Sequence, residues 1–227
     1  WCVGRVKWDK GTGGELREHV DALRGQVHEV ACVIITGAGK AFSAGHDLKD
    51  IQKGERPPEP HFQAKTIQAL AELPQPVVAC IRGHCYTGGL ELALAADIII
   101  AARSAKFGDT HSKWGLSPLW GMTQRLPRRV GLSKAKQMMF TSDIFAAEAA
   151  ERMGLVDICV DDVELEQATN DLAQRIAANS TYSNQVNKGL LSATDGMTAQ
   201  AGLAYELAHS PGACYDAHER VASFGKK

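Results

Sequence analysis

The sequence predicts an α/β domain with parallel strand pairing, and three observations carry that expectation. Short β-branched runs, VACVIITG (30–37), VVACI (77–81) and DIIIAA (97–102), read as strands buried on both faces. Segments with helical spacing separate them. Two glycine-rich stretches, GAGKAFSAGHDL (37–48) and RGHCYTGG (82–89), each start where a buried strand ends.

Along the chain, ELREHVDALR (15–24) carries Leu16, Val20 and Leu23 at helical spacing, with Gly25 as its stop. The strand 30–37 leads into the first glycine-rich stretch, whose composition suits a loop where backbone passes close to something. KGERPPEP (53–60) is polar and proline-rich, the pattern of a mobile surface loop. A helix over about 61–72 passes through LPQP (73–76) into the strand 77–81. The turn RGHCYTGG then feeds a helix from Gly88 through LELALAA (90–96), and the strand 97–102 follows. The later chain reads as mostly helical. Asp161 and Asp162 are expected to cap a helix with Leu165, Ala168, Leu172 and Ile176 on one face. With no repeat, low-complexity tract or linker, one domain is expected: a core over 1–165 and a helical region over 166–227 belonging to it.

The composition fits this. Of 227 residues, 44% are apolar and 22% charged, which excludes intrinsic disorder and supports a core without disulfides or structural metal. A formal net charge of -1 provides no field for nucleic acid or an anionic membrane, so neither is expected as a partner. The six cysteines lack CxxC spacing and mostly sit in apolar runs, as buried reduced thiols do. The longest apolar stretch, Leu90 to Ala102, is broken by Glu91 and Asp97 and is too short to span a bilayer. No signal-peptide pattern opens the chain. A soluble intracellular protein is expected, in cytoplasm or mitochondrial matrix.

Two places carry chemistry. Gly88 and Gly89 open a helix, so unpaired N–H groups point out of the turn, where they suit an anion or an oxygen that gains charge. Glu91 lies in the first turn of that helix, where the helix dipole alone would favour a carboxylate. In DTH (109–111), an extended backbone puts Asp109 and His111 on one face and Thr110 on the other. A histidine beside an acid can act as a tuned acid–base group. The spacing of a metal site, a P-loop or a GxSxG elbow does not occur.

AFSAGHDL (41–48), GHCYTGGLELALAADIIIA (83–101), KFGDTHSKWGLSP (106–118), GMTQRLPRRVG (121–131) and TSDIFAAEAAERMGLVD (141–157) stand in an order and spacing that resemble the crotonase superfamily, the enoyl-CoA hydratases and isomerases. The resemblance runs from about Glu15 to Phe224. It implies a crotonase-like fold of repeated ββα units with a C-terminal helical region that trimerises, giving homotrimers or hexamers. It implies an acyl-CoA thioester as partner, CoA being part of the substrate, and no metal or other cofactor.

Residue by residue, the resemblance places an oxyanion hole at the backbone N–H groups of His46 and Gly88. Ala44, Asp47, Leu48 and Lys49 match the stretch lining the CoA path, and Thr110 is assigned to substrate binding with them; the ammonium of Lys49 also reads as a plain surface charge. Glu91 matches the first of two glutamates that hydratases of the family set around one water. The second falls at His111, the main departure from the pattern. Thr87 replaces a frequent glycine, and Leu119 and Trp120 replace small residues. Trp114 and Trp120 either narrow an acyl pocket or simply pack.

Before the first helix only WCVGRVKWDKGTGG stands where the family has a β-hairpin and an NRP…NAL segment. The chain also lacks an initial Met, which reads as residues missing at its start or as divergence. The favoured activity is reversible hydration of a 2-enoyl-CoA, as in fatty-acid or amino-acid degradation. The alternatives are isomerisation, decarboxylation or thioester hydrolysis on an acyl-CoA, or acyl-CoA binding without catalysis.

Overall fold

Parallel pairing governs the architecture of the computed structural model, which describes residues 2–8, 13–45, 52 and 59–224. A five-stranded sheet has the order β1-β2-β3-β5-β8. Its strands are β1 (Cys2–Trp8), β2 (Val30–Gly37), β3 (Val77–Ile81), β5 (Ile98–Ala102) and β8 (Ile158–Val160), and every neighbouring pair is parallel. A second sheet has the order β4-β6-β7, built from β4 (His84–Tyr86), β6 (Lys106–Gly108) and β7 (Phe145–Ala146). Successive strands alternate between the sheets: β3 is followed by β4, and β5 by β6. Each step ends in a loop beside the second sheet, and there the glycine-rich stretches collect.

The helices are α1 (Gly13–Arg24), α2 (Phe62–Ala71), α3 (Gly88–Ala93), α4 (Met122–Val130), α5 (Leu132–Thr141) and α6 (Ala147–Arg152). Then come α7 (Leu165–Ala178), α8 (Thr181–Thr194), α9 (Ala199–His209) and α10 (Ala217–Ala222). The expected strands at 30–37 and 77–81 form as read, and the third begins at Ile98. The period-2 geometry of a strand sends Val33 and Ile35 of β2 into the main core and Cys32 and Ile34 to the opposite face. There Leu165, Leu172 and Ala173 of α7 cover them. Burial on both faces explains the near-continuous apolar runs. Among the described cysteines, Cys32, Cys80, Cys85, Cys159 and Cys214 are free thiols.

One device recurs. Asp97, just ahead of β5, gives its N–H to Val77 O (2.9 Å) and takes the Val77 N–H on its carboxylate (2.7 Å). Asp157, just ahead of β8, does the same for Ile99, at 2.9 and 2.7 Å. In each case a carboxylate satisfies an N–H within the first two residues of the preceding strand. A cation then neutralises each acid: Lys188 contacts Asp97 at 2.7 Å and Arg129 contacts Asp157 at 2.9 Å.

Two expectations change. Residues 2–8, which the sequence reading left without an element, form β1 along the exposed side of β2, because a parallel neighbour satisfies backbone that local pattern alone does not mark. Asp161 and Asp162 do not cap α7. Its N-cap is Glu164, which makes no side-chain cap bond. Asp161 accepts instead from Arg103 Nε at 2.7 Å, and Asp162 accepts from Ser104 N at 3.1 Å, so the β5–β6 turn takes both acids. Within the proline-rich stretch 53–60, residues 53–58 lie outside the described residues.

Replacing Asp157 by Ala strips the Ile99 N–H of its acceptor and leaves Arg129 without its carboxylate. Urea unfolding is expected to register a loss of about 1–3 kcal/mol. A loss below the scatter of the method would mean that water replaces the carboxylate.

Candidate active site

The site forms where three loops meet. Segment 43–45 leaves the first glycine-rich stretch, 87–91 carries the turn into α3, and 109–122 follows β6. Ser43 forms a bridge with Cys85, and Tyr86 N donates to Ser43 O at 2.9 Å, so the first loop lies along the second. Gly45 allows this approach. Its φ is +90°, and a Cβ there would stand 3.0 Å from Gly88 N. Gly88 is the first residue of α3, so its N–H has no acceptor within the helix.

Thr87, where the family pattern often has glycine, is forced to a φ of 51°. Such a conformation costs a non-glycine residue about 1–3 kcal/mol and persists only when its surroundings hold it. Here they do. Thr87 N donates to Gly108 O at 2.9 Å, Thr87 Oγ1 stands 2.6 Å from Thr110 Oγ1, and Thr110 N donates to Thr87 Oγ1 at 3.2 Å. The hydroxyl that glycine lacks latches the α3 turn to the DTH segment. The Thr110 hydroxyl thus holds Thr87, but the expected extended backbone ends at Gly108. His111 is helical (φ −53°, ψ −51°) and its N–H donates to Asp109 Oδ1 at 3.2 Å, so a tight turn rather than strand alternation brings Asp109 and His111 together.

Glu91 is buried, at 1% exposure. Its Oε1 accepts two backbone N–H groups, from Trp120 at 2.8 Å and Met122 at 3.1 Å. Its Oε2 faces His111 Nε2 at 3.8 Å. Burial is the main influence on the acid and holds its pKa above the usual carboxylate value, against the two amides and the nearby imidazole, which favour the anion. On its other side His111 Nδ1 meets Asp109 Oδ1 at 2.6 Å, and Asp109 is also buried, at 1% exposure. A carboxylate there only accepts, so Nδ1 carries the hydrogen, and Nε2 is the ring nitrogen turned toward Glu91. Asp109, His111 and Glu91 therefore stand in a row whose last gap, 3.8 Å, is too long for a direct hydrogen bond.

The loop supplying the amides is itself braced. Arg125 Nη1 donates to Trp120 O at 2.7 Å and Nη2 to Gln68 Oε1 at 2.6 Å. The Trp120 ring lies over Gly88, where a Cβ would come within 2.2 Å of its Cζ3. Trp114, by contrast, is half exposed, with Lys113 Nζ 5.7 Å from its ring. A groove of about 1340 Å³ runs between α1, α2, α4 and α8, and Leu119, Trp120 and Gly121 are among its lining residues.

Of the residues singled out from the sequence, the fold brings Glu91, His111 and Gly88 together. Ala44 lies exposed beside Gly45. His46, Asp47, Leu48 and Lys49 lie outside the described residues. Sequence reasoning missed the Trp120 and Met122 amides that hold Glu91, because any residue type supplies an N–H. The brace from Arg125 to Gln68 also went unread. Thr87 did carry a signal, as a side chain standing where glycine is usual.

The whole arrangement matches known proteins. Residues 12–221 match the family model described as "Enoyl-CoA hydratase/isomerase". A probable mitochondrial enoyl-CoA hydratase of Dictyostelium discoideum is 35% identical over 88% of this chain and 73% of its own length. The 1,2-epoxyphenylacetyl-CoA isomerase of Escherichia coli is 33% identical over 86% of this chain and 78% of that one. Among solved structures, an enoyl-CoA hydratase from Bacillus anthracis superposes with a TM-score of 0.87 at 31% identity, covering 99% of this chain and 92% of the other. The chain adopts the crotonase fold and belongs to the enoyl-CoA hydratase/isomerase family.

Because burial raises the pKa of Glu91, the folded protein holds that proton more tightly than the unfolded chain does. This contribution to stability is complete below the ordinary value of 4.5 and is lost as pH rises through the raised one. The Glu91→Gln change keeps an oxygen for both amides and removes the charge. The variant is expected to melt above the parent at neutral and alkaline pH, by about 2–4 °C per kcal/mol gained. The gap should close toward pH 4.5; equal melting points from acid to alkali would contradict it.

Proposed function

We propose that this protein adds water reversibly across the double bond of a 2-enoyl-CoA thioester, with CoA entering as part of the substrate. The observation that carries this reading is the approach of Glu91 Oε2 to His111 Nε2 at 3.8 Å, with Glu91 in the helix turn that Gly88 opens. That separation is too long for a direct hydrogen bond and lets both atoms reach one water. A water about 2.8 Å from each would see them about 85° apart, close to a natural hydrogen-bonding angle. Family membership and the hydratase among the similar proteins support the same reading.

In the proposed reaction Glu91, as carboxylate, takes a proton from the water while the water oxygen bonds to C3 of the enoyl group. The π electrons move through C2 onto the thioester oxygen, which becomes an enolate oxygen. Gly88 N–H donates to it, and His46 N–H is the proposed second donor. The charge exists only on reaction, so these donors favour the transition state over the substrate. Glu91 then returns the proton to C2. His111, held by Asp109, orients the water and keeps a mobile proton beside Glu91. A second reading, isomerisation of an acyl-CoA, draws on the isomerase among the similar proteins. Of the two, only hydration consumes water.

Loss of enoyl-thioester absorbance with crotonyl-CoA tests the proposal. Glu91→Gln should lower turnover roughly 10²–10⁴-fold with the fold intact, and His111→Ala by at least about tenfold. Full activity in Glu91→Gln would overturn it, and a double-bond shift without water uptake would select isomerisation. Because the base must be ionised, kcat/KM should rise with pH through a limb displaced above the ordinary carboxylate range. A limb at the ordinary value of 4.5 would remove Glu91 from that role.

We also propose that the protein works as a trimer or as paired trimers. Leu203 and Leu207 of α9 are exposed at 57% and 77%, and Val221 of α10 at 73%, more apolar surface than an isolated helical tail leaves to water. Sedimentation at micromolar concentration should give a trimer or hexamer, and a stable monomer would refute the proposal.

A further inference from the structure

We infer that Trp120 is the specificity-determining residue for acyl length: its indole closes the acyl site beside Gly88 and separates it from the groove between α2 and α4. The inference rests on the acyl-CoA reading above and deepens it.

Trp120 is fixed at three points. Its N–H holds Glu91 Oε1 at 2.8 Å, and its carbonyl accepts from Arg125 Nη1 at 2.7 Å. Its ring packs so closely on Gly88 that a Cβ there would stand 2.2, 2.9 and 3.1 Å from three ring carbons. The backbone on both sides of this side chain is thus tied to the catalytic carboxylate and its brace. These two bonds fix where the side chain starts, and its packing on Gly88 fixes where the ring lies.

A thioester whose oxygen meets Gly88 N–H and whose C3 faces Glu91 must direct its alkyl chain past these two residues. The ring touches the first, and its own main chain touches the second. Beyond the ring lies the groove of about 1340 Å³, which Trp120 lines together with Gly121, Gln68 and Arg125. The groove is large enough for a long chain, and the indole stands at its junction with the site. A short acyl group fits on the near side, whereas a long one must displace a large aromatic ring that gains nothing by leaving.

The test compares crotonyl-CoA with trans-2-decenoyl-CoA for the parent, Trp120→Phe and Trp120→Ala. Butyryl-CoA and decanoyl-CoA are titrated calorimetrically alongside, and circular dichroism checks the fold. The parent should favour the short substrate. Trp120→Ala should raise the decenoyl-to-crotonyl ratio of kcat/KM by roughly tenfold or more, and the conservative Phe change, which folds more readily, by less. The binding ratio of the saturated thioesters should move the same way. Folded variants with unchanged ratios would overturn the inference, as would a parent that handles decenoyl-CoA as well as crotonyl-CoA, or one that binds neither saturated thioester. If the parent hydrates neither enoyl thioester yet binds butyryl-CoA better than decanoyl-CoA, and Trp120→Ala erases that preference, hydration fails and the inference stands.

Discussion

Everything in the site is referred to the grip of two backbone amides on one oxygen of Glu91. A buried carboxylate is costly unless its lone pairs are met, and the Trp120 and Met122 N–H groups meet those of Oε1. Being main chain, they allow the carboxylate little rotation. Oε2 is therefore aimed at His111 and at the space beside Gly88. The same grip places the Trp120 ring and makes Arg125 and Gln68 part of the support, since they hold the carbonyl on the other side of the loop.

An imidazole at position 111 changes the electrostatics of a site that in related hydratases is built from two glutamates. Two carboxylates crowded around one water repel each other, and one of them must hold a proton. With His111 the partner of Glu91 is neutral or cationic, and Asp109 supplies the second negative charge one step further back. The Glu91–His111 pair can hold one proton without like-charge repulsion between its members. Asp109 Oδ2 is buried and has no hydrogen-bond partner among the described residues, so His111 is the polar contact that justifies the burial of this acid.

The frame that holds these groups is repetitive. Asp97 and Asp157 each tie the start of one strand to the residue before the next, and each is matched by a cation from a helix, Lys188 of α8 and Arg129 of α4. This fixes the ββα steps relative to one another, so the loops at their ends arrive in register. Thr87 and Thr110 then join two of those loops directly. The backbone strain at Thr87 sits one residue from the proposed oxyanion donor, where a glycine would bring freedom and no latch.

Periodicity and composition were enough to determine the strands at 30–37 and 77–81 and the helix opening at Gly88. These follow from local backbone preference and side-chain alternation, which a sequence carries directly. The motif order likewise established the family and pointed to Glu91 and His111. Tertiary structure alone decided which partners those groups have. It gave Asp161 and Asp162 to Arg103 and Ser104 rather than to the helix they precede, and it turned residues 2–8 into a strand through pairing with β2. It also chose the amides that hold Glu91, and the glycine that the Trp120 ring covers. Every residue but proline carries an N–H, and an indole packs wherever space allows. Neither leaves a mark in residue type, so only the meeting of distant loops could assign them.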